Sequence, residues 1–389
     1  MSYYIDVAYN SIYKEGEELC GDHVEITRIE DGIIIVMADG LGSGVKANIL
    51  ATLTSKIAVT MLKEGASLDE TVDTIIHTLP ECQIRKLAYS TFTIIKVYND
   101  GKIYIAEYDN PPFFLFHSGV DRVVKKQKNI INKKTILESR FTIDDKDLLV
   151  VVSDGAIHAG VGKLLNLGWR WENINDYLRD LSIVEKNSKD ITGNLLGVCE
   201  NLYDGKPGDD TTVITIKLRK PEVVNLFTGP PKKREDDSKV IKELMNKKGK
   251  IVICGGTTAN IASRELNREI IVDTNSYTKN LPPIAKIEGI DLVTEGVLTL
   301  NQCVEIIKKY INTSCYSELN KIEGDDGATK LARLLINDCT HLNLWVGKAI
   351  NPAHQNPDFP MDFNIKIKIV NELVECMKKL GKEVTIKYV

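Results

Sequence analysis

The sequence predicts an α+β protein: a sandwich of two sheets flanked by helices over residues 1–220, then a smaller α/β domain with a mainly parallel sheet over residues 238–389. Three observations predict it. Apolar, strand-like runs stand at both ends of the first segment with helical spacing between them. In the last segment short apolar runs alternate with helical patterns, as parallel strands joined by crossover helices do. Between the two, residues 221–237 carry Pro221, Pro230 and Pro231 with a Lys232-Lys233-Arg234-Glu235-Asp236-Asp237 charge run, which reads as a linker. At 389 residues, two domains are also the expectation from size.

Residues 24–28 and 33–38 alternate or run apolar around Glu30-Asp31-Gly32, a hairpin signal. Ala47, Leu50, Ala51, Leu53, Ile57 and Leu62 recur at helical spacing and stop at Gly65, so a helix spans Gly44–Leu62. A second helix fits Leu68–Thr78, with Ser67 as its N-cap. Tyr89–Tyr98, Lys102–Tyr108 and Phe113–His117 follow as strands, the first two joined at Asn99-Asp100-Gly101. Strands at Phe141–Ile143 and Leu148–Ser153, helices within 160–203 and a strand at Thr211–Leu218 complete the first unit.

In the second segment the expected order is helix Ser238–Asn246, strand Lys250–Cys254, helix Ala259–Leu266 and strand Glu269–Asp273. A strand at Asp291–Val293 and helices at Thr299–Ile311 and Ala328–Ile336 come next, then strand His341–Val346 and helix Ile369–Leu380. No internal repeat is visible.

Composition excludes several function classes. A net charge of −4 and a pI near 6.0 point neither to nucleic acid nor to an anionic membrane surface. No uninterrupted apolar stretch reaches 18 residues, and Met1-Ser2-Tyr3-Tyr4-Ile5-Asp6 lacks a signal-peptide pattern, so a cytoplasmic protein is expected. Eight cysteines never pair as Cys-x-x-Cys and read as reduced, mostly buried thiols.

The chemistry lies in four short segments: Cys20-Gly21-Asp22, Met37-Ala38-Asp39-Gly40-Leu41-Gly42-Ser43-Gly44, Val152-Ser153-Asp154-Gly155 and Gly208-Asp209-Asp210-Thr211-Thr212. The runs Ile33–Ala38 and Leu148–Ser153 each stop at an aspartate, where a carboxylate left alone at a core edge would be costly. Carboxylates at strand ends, with glycines that let backbone carbonyls approach, suit hard divalent cations. Aspartates scattered over this much chain but converging in space suit two ions, and two ions suit activation of water against a phosphate. Gly42 and Gly44 could cradle phosphate; they read rather as sites of tight packing and close backbone approach. His23 and His158 adjoin two of the aspartates, but neither neighbour in sequence need share their face.

In this order and spacing the segments closely resemble the metal-dependent protein serine/threonine phosphatases of type 2C, in the bacterial branch typified by the sporulation stage II protein E phosphatase domain. The resemblance covers about residues 5–218 and includes Ser90-Thr91-Phe92-Thr93 and Asp109-Asn110-Pro111-Pro112. It implies a phosphatase-type sandwich and hydrolysis of phosphoserine or phosphothreonine on a regulatory protein, often an anti-sigma-factor antagonist. It also implies two Mn²⁺ or Mg²⁺ ions. Carried over motif by motif, Asp39 bridges both metals, the Gly40 carbonyl and Asp22 serve the second, and Asp154 and Asp209 complete the first. Asp210 orients waters. The arginine that grips substrate phosphate in eukaryotic relatives has no counterpart here, which agrees with the sporulation branch. The alternative is a regulatory binding or scaffold protein that keeps the phosphatase fold as an interaction module; the complete aspartate set argues against it.

In the second domain, Gly255-Gly256-Thr257-Thr258 follows a strand and opens a helix, a cradle for a small anion or merely a tight turn. Thr294-Glu295-Gly296 and Gly347-Lys348-Ala349 end two further strands at the same edge, where open α/β sheets bind ligands. The turn vaguely resembles those of phosphosugar-sensing domains. A small-molecule enzyme in this domain ranks last, because no nucleophile–base pair stands out. The polar stretch Asn351–Pro357 has no assigned role, and a homo-oligomer is left open.

Overall fold

The computed structural model describes residues 2–78, 90–185, 187–273, 282–313, 322–349 and 361–389, and the chain divides at Lys220 and Pro221 into two units. Among the described residues the first unit has eleven strands. β1 (Tyr4–Ile12), β2 (Asp22–Ile29), β3 (Gly32–Gly40), β4 (Ser90–Tyr98), β5 (Lys102–Tyr108), β6 (Phe114–His117), β7 (Val120–Asp121), β8 (Gln127–Ile131), β9 (Lys134–Thr142), β10 (Asp147–Val152) and β11 (Thr211–Arg219) form two antiparallel sheets. Their orders are β2-β3-β4-β5-β9-β8 and β1-β11-β10-β6-β7.

The inner faces meet through Ile33, Ile35, Met37, Ile95 and Ile105 on one sheet and Leu149, Val151, Ile214 and Ile216 on the other. The alternate residues of β3 and β10 are buried too, which is why these strands read as continuous apolar runs. Ile34, Val36 and Ala38 pack under α1 (Gly44–Lys63) and α2 (Leu68–Thr78). Leu148, Val150 and Val152 pack under α3 (Asp154–Ile157), α4 (Trp171–Val184) and α5 (Ser188–Leu202). The α2 start is a reciprocal capping box: Ser67 N–H donates to Glu70 Oε2 at 2.8 Å, and Glu70 N–H donates to Ser67 Oγ at 3.2 Å.

By length and composition α1 could cross a membrane. Ala47, Leu50, Ala51, Ala58, Val59 and Leu62 are instead buried within the unit, against the sheet. The six described cysteines, Cys20, Cys199, Cys254, Cys303, Cys339 and Cys376, are buried, with no disulfide among the described residues. Cys82 and Cys315 lie outside the described residues, as does Asn351–Pro357.

The second unit begins where a linker was expected. Val223–Thr228 is β12, and it pairs in parallel with β13 (Lys250–Cys254) on one side and β17 (His341–Val346) on the other. The linker reading of 221–237 is therefore corrected: proline and charge flank only four apolar residues, Val223, Val224, Leu226 and Phe227, too few to outweigh them in composition. Burial is complete even at Asn225, whose Oδ1 accepts from Asn343 Nδ2 at 2.9 Å while Asn343 Oδ1 accepts from Thr385 Oγ1 at 2.6 Å. These three are register partners across β12, β17 and β18 (Glu383–Tyr388).

The remaining elements are α6 (Asp237–Met245), α7 (Gly256–Leu266), β14 (Ile271–Asp273), β15 (Ile284–Lys286), β16 (Leu292–Thr294), α8 (Val297–Asn312), α9 (Gly327–Arg333) and α10 (Met361–Lys379). The sheet order is β14-β15-β16-β13-β12-β17-β18. β16, β13, β12, β17 and β18 are parallel, and β14 and β15 extend one edge antiparallel. α6 and α7 cover one face around Phe227 and Ile253; α8, α9 and α10 cover the other around Leu226 and Leu344.

Candidate metal centre

Asp22 opens β2 and Asp39 lies near the end of β3, and the hairpin register sets them directly opposite each other. Cross-strand partners have β-carbons about 4.5–5.5 Å apart. From the other sheet, Asp154 follows β10 and Asp209 and Asp210 precede β11. Those two ends are tied by Ser153 N–H to Thr212 O at 3.0 Å and Thr212 N–H to Ser153 Oγ at 2.8 Å. The five carboxylates thus converge where the ends of the two sheets meet, drawn from sequence positions as far apart as 22 and 210.

Their electrostatics are those of an uncompensated cluster. Burial, then repulsion from Asp22, Asp154, Asp209 and Asp210, pushes Asp39 up to about 9. Burial pushes Asp22 up to about 7, with Asp210 and Asp154 adding to the rise. The hydroxyls of Ser153 and Thr212 draw Asp22 back toward its ionised form, yet neither of its buried carboxylate oxygens has a hydrogen-bond partner. Asp209 is also raised, first by burial and then by Asp154. Two unpartnered carboxylate oxygens amid four more carboxylates form a donor set that a divalent cation would satisfy. The donors are all oxygen, which suits Mn²⁺ or Mg²⁺.

Spacing bears on the number of ions. Among the described residues, the group of three ligand atoms that all fall within 4.8 Å of one another is His117, Asp144 and Asp147, away from this cluster. No three of the aspartates form such a group among the described residues. The His117 group reads differently. Asp147 is buried and already accepts from Arg122 Nη1 at 3.2 Å and from Asp144 N–H at 2.7 Å, with His117 Nδ1 at 3.1 Å. A guanidinium occupies the place of a cation there.

Several contacts hold the cluster in shape. Lys14 N–H donates to Asp210 Oδ1 at 3.1 Å, Asp210 N–H to Asp209 Oδ1 at 3.0 Å, and Ser90 Oγ to Asp39 O at 2.9 Å. A cavity of about 440 Å³ opens over it, lined by Asp39, Gly40, Leu41, Gly42, Ser90, Thr91, Tyr108, Asp109, Asp154 and Asp209. Among the described lining residues none is basic. Thr91 Oγ1 donates to Asn110 Oδ1 at 2.8 Å and Asn110 Nδ2 to Thr93 Oγ1 at 3.0 Å, which fixes the turn that carries Asp109. Asp109 has φ +55, a left-handed conformation uncommon for aspartate. The sequence marks this turn by the proline pair after Asn110, but nothing local to it places Asp109 at the cavity.

Neither histidine is among the residues lining that cavity. His23 Nδ1 lies 2.7 Å from Ser55 Oγ on α1, and His158 is exposed. The expectation for Gly42 is corrected: a side chain there would meet nothing within 4 Å, so packing does not require glycine, whereas φ +109 does. Gly44 is buried against the Glu17 carboxylate, as close packing implies. Gly155 is the tightest approach. A β-carbon there would collide with the Asp210 carbonyl and Thr211 Oγ1. Gly155→Ala should therefore destabilise the unit by about 1–3 kcal/mol and separate Asp154 from Asp210. Thermal unfolding checks this; an unshifted midpoint would contradict it.

Residues 29–219, a little under half of the chain, match the family model of stage II sporulation protein E (SpoIIE). This is the family that the ordered motifs resemble. Asp39, Asp154 and Asp209 fall inside the matched segment and Asp22 outside it. Among solved structures, the PP2C phosphatase domain with a regulatory-domain fragment of SpoIIE from Bacillus subtilis is 20% identical, with a TM-score of 0.48 over 56% of this chain and 62% of that one. The chain thus spans about three fifths of that relative's length. RsbU and RsbW domains from Mycobacterium tuberculosis are 16% identical, with a TM-score of 0.47 over 62% of this chain and 67% of theirs. RsbX in complex with magnesium is 17% identical, with a TM-score of 0.40 over 55% of this chain and 96% of that one. No curated protein matches the chain.

Proposed function

We propose that the first unit is a metal-dependent protein phosphatase that hydrolyses phosphoserine and phosphothreonine on a regulatory phosphoprotein in the cytoplasm. The observation that carries this reading is the five-aspartate cluster, with Asp22 and Asp210 buried, Asp39, Asp154 and Asp209 half-buried and both Asp22 oxygens unpartnered, within a chain whose residues 29–219 match the SpoIIE family. Asp39, Asp154, Asp209, Asp22 and the Gly40 carbonyl would hold two Mn²⁺ or Mg²⁺ ions. Bound there, the ions supply an activated water and neutralise charge on the phosphoryl oxygens. The chain's own part is to fix the ligands and shape the cavity. Ser90 and Lys14 hold the backbone and carboxylate of two aspartates in place. Thr91, Tyr108 and Asp109 form the wall that a substrate would meet. No described lining residue is Lys or Arg, so the bound metal would supply counter-charge for a phosphate. An anti-sigma-factor antagonist is the class of substrate that the resemblance brings to this proposal.

Phosphate release from phosphoserine, phosphothreonine and phosphotyrosine peptides, with Mn²⁺ or with chelator, tests the reading on the full chain. The first two should turn over only with metal, and no phosphorylated protein should accumulate. Turnover undiminished by chelator would refute the metal-dependent mechanism.

A further inference from the structure

The carboxyl ends of the parallel strands in the second unit form an edge that the phosphatase reading leaves unused. Numbered in chain order, the parallel strands lie 3-2-1-4-5, so the connections reverse direction between β12 and β17. Open α/β sheets bind ligands outside the strand ends near such a reversal. At the first strand the chain offers little: β12 runs into Gly229-Pro230-Pro231, and α6 starts only at Asp237. Proline has no amide hydrogen to give a ligand.

The next strands differ. β13 ends at Gly255 and opens the 11-residue α7, and β16 ends at Glu295-Gly296 and opens the 16-residue α8. The two turns touch, since a β-carbon on Gly296 would lie 3.4 Å from Gly255 Cα. Two helix N-termini, each with partial positive charge, therefore converge. Gly255 N–H donates to Thr294 O and Gly255 O accepts from Ala259 N–H, both at 2.9 Å, so the amides of Gly256, Thr257 and Thr258 open the helix without intrahelical partners.

Thr258 supplies the second observation. It is 1% exposed, and its hydroxyl has no hydrogen-bond partner. The hydroxyl faces the space that Gly255 leaves empty, where a β-carbon would stand 3.3 Å from Oγ1. An acceptor entering that space would satisfy a group whose isolation costs about 1–3 kcal/mol.

A cation lies at the end of the neighbouring strand. Lys366 on α10 donates to the Gly347 carbonyl at 2.5 Å and occupies the space that a side chain on Gly229 would fill. Gly229 follows Thr228, the register partner of Cys254, so the ammonium overlies the strand next to the Gly255 turn. Burial lowers its pKa to about 8. One opposing charge is present: Glu295, whose Oε2 accepts from Gly296 N–H at 2.6 Å and whose Oε1 would lie 3.5 Å from a β-carbon on Gly256.

We propose that this edge binds a small phosphate-bearing ligand. The phosphate would rest on the Gly256–Thr258 amides and the Thr258 hydroxyl, with Lys366 as counter-charge and Glu295 as the internal carboxylate that competes for the turn.

The test uses the full chain carrying Asp39→Asn, in chelator, so that the aspartate cluster holds no metal and the result is independent of the phosphatase reading. Inorganic phosphate, glycerol 3-phosphate and acetate are titrated calorimetrically. Both phosphates should bind and acetate should not. Thr258→Val and Lys366→Met should each weaken phosphate binding by about tenfold, and Glu295→Gln should strengthen it. Thr258→Val should also raise the melting midpoint of the ligand-free protein, because it removes an unsatisfied buried hydroxyl. No binding of either phosphate, unchanged binding in either weakening variant, or acetate binding as tightly as phosphate would each overturn the proposal.

Discussion

Asp39→Asn should lose roughly a thousandfold or more in turnover, about 4 kcal/mol of transition-state stabilisation, while remaining folded. Asp39 faces Asp22 across the hairpin and feels the charge of four other carboxylates. Asparagine keeps its size but not its charge, so a divalent cation loses its central ligand. The same change relieves repulsion in the metal-free protein. The variant should therefore melt no lower than the parent in chelator, which separates lost chemistry from lost structure. Steady-state turnover with saturating Mn²⁺, measured beside thermal unfolding, checks both parts. Activity within a few-fold of the parent would remove the two-metal assignment.

Metal-free protein should lose stability steadily as pH rises from about 5 to about 9. Burial and mutual repulsion raise Asp22 to about 7 and Asp39 to about 9, and raise Asp209 as well, from an ordinary value of 3.8. Over that interval the folded state keeps protons that the unfolded chain has already released. Fewer protons are bound on unfolding, so the unfolding free energy falls with pH. Below the ordinary carboxylate range both states are protonated and the full contribution is present; above about 9 it is gone. Divalent cations replace those protons, so Mn²⁺ should flatten or reverse the slope by binding the ionised cluster. Melting midpoints across this range, with chelator and with Mn²⁺, give the answer. A chelated protein whose stability is level or rises with pH would mean that the aspartates are not the crowded, buried set described.

Much of this was legible in the chain. Ile33–Ala38 and Leu148–Val152 announced central strands because burial on both faces leaves only apolar residues there. Ser67 and Glu70 marked the start of α2 because a capping box is a local contact between residues three apart. Asp22, Asp39, Asp154 and Asp209 stood out for a related reason: each closes or opens a strand, and glycine or a second aspartate beside it leaves a signature within four residues.

Local signals ran out where pairing partners are remote. β1 is held by a nine-residue register with β11, more than 200 positions away, and its own residues, YIDVAYNSI, carry no strong alternation. β12 was read as linker because prolines surround it, yet its two parallel neighbours bury even Asn225. Sequence alone determined the two units' classes and the residue types that can hold a cation. Tertiary structure alone decided that five carboxylates share one place, that Thr258 faces the gap at Gly255, and that Lys366 reaches the end of the adjacent strand at Gly229. Strand character and capping arise from neighbours along the chain, whereas charge crowding and orphaned polar atoms arise from what distant segments bring into contact.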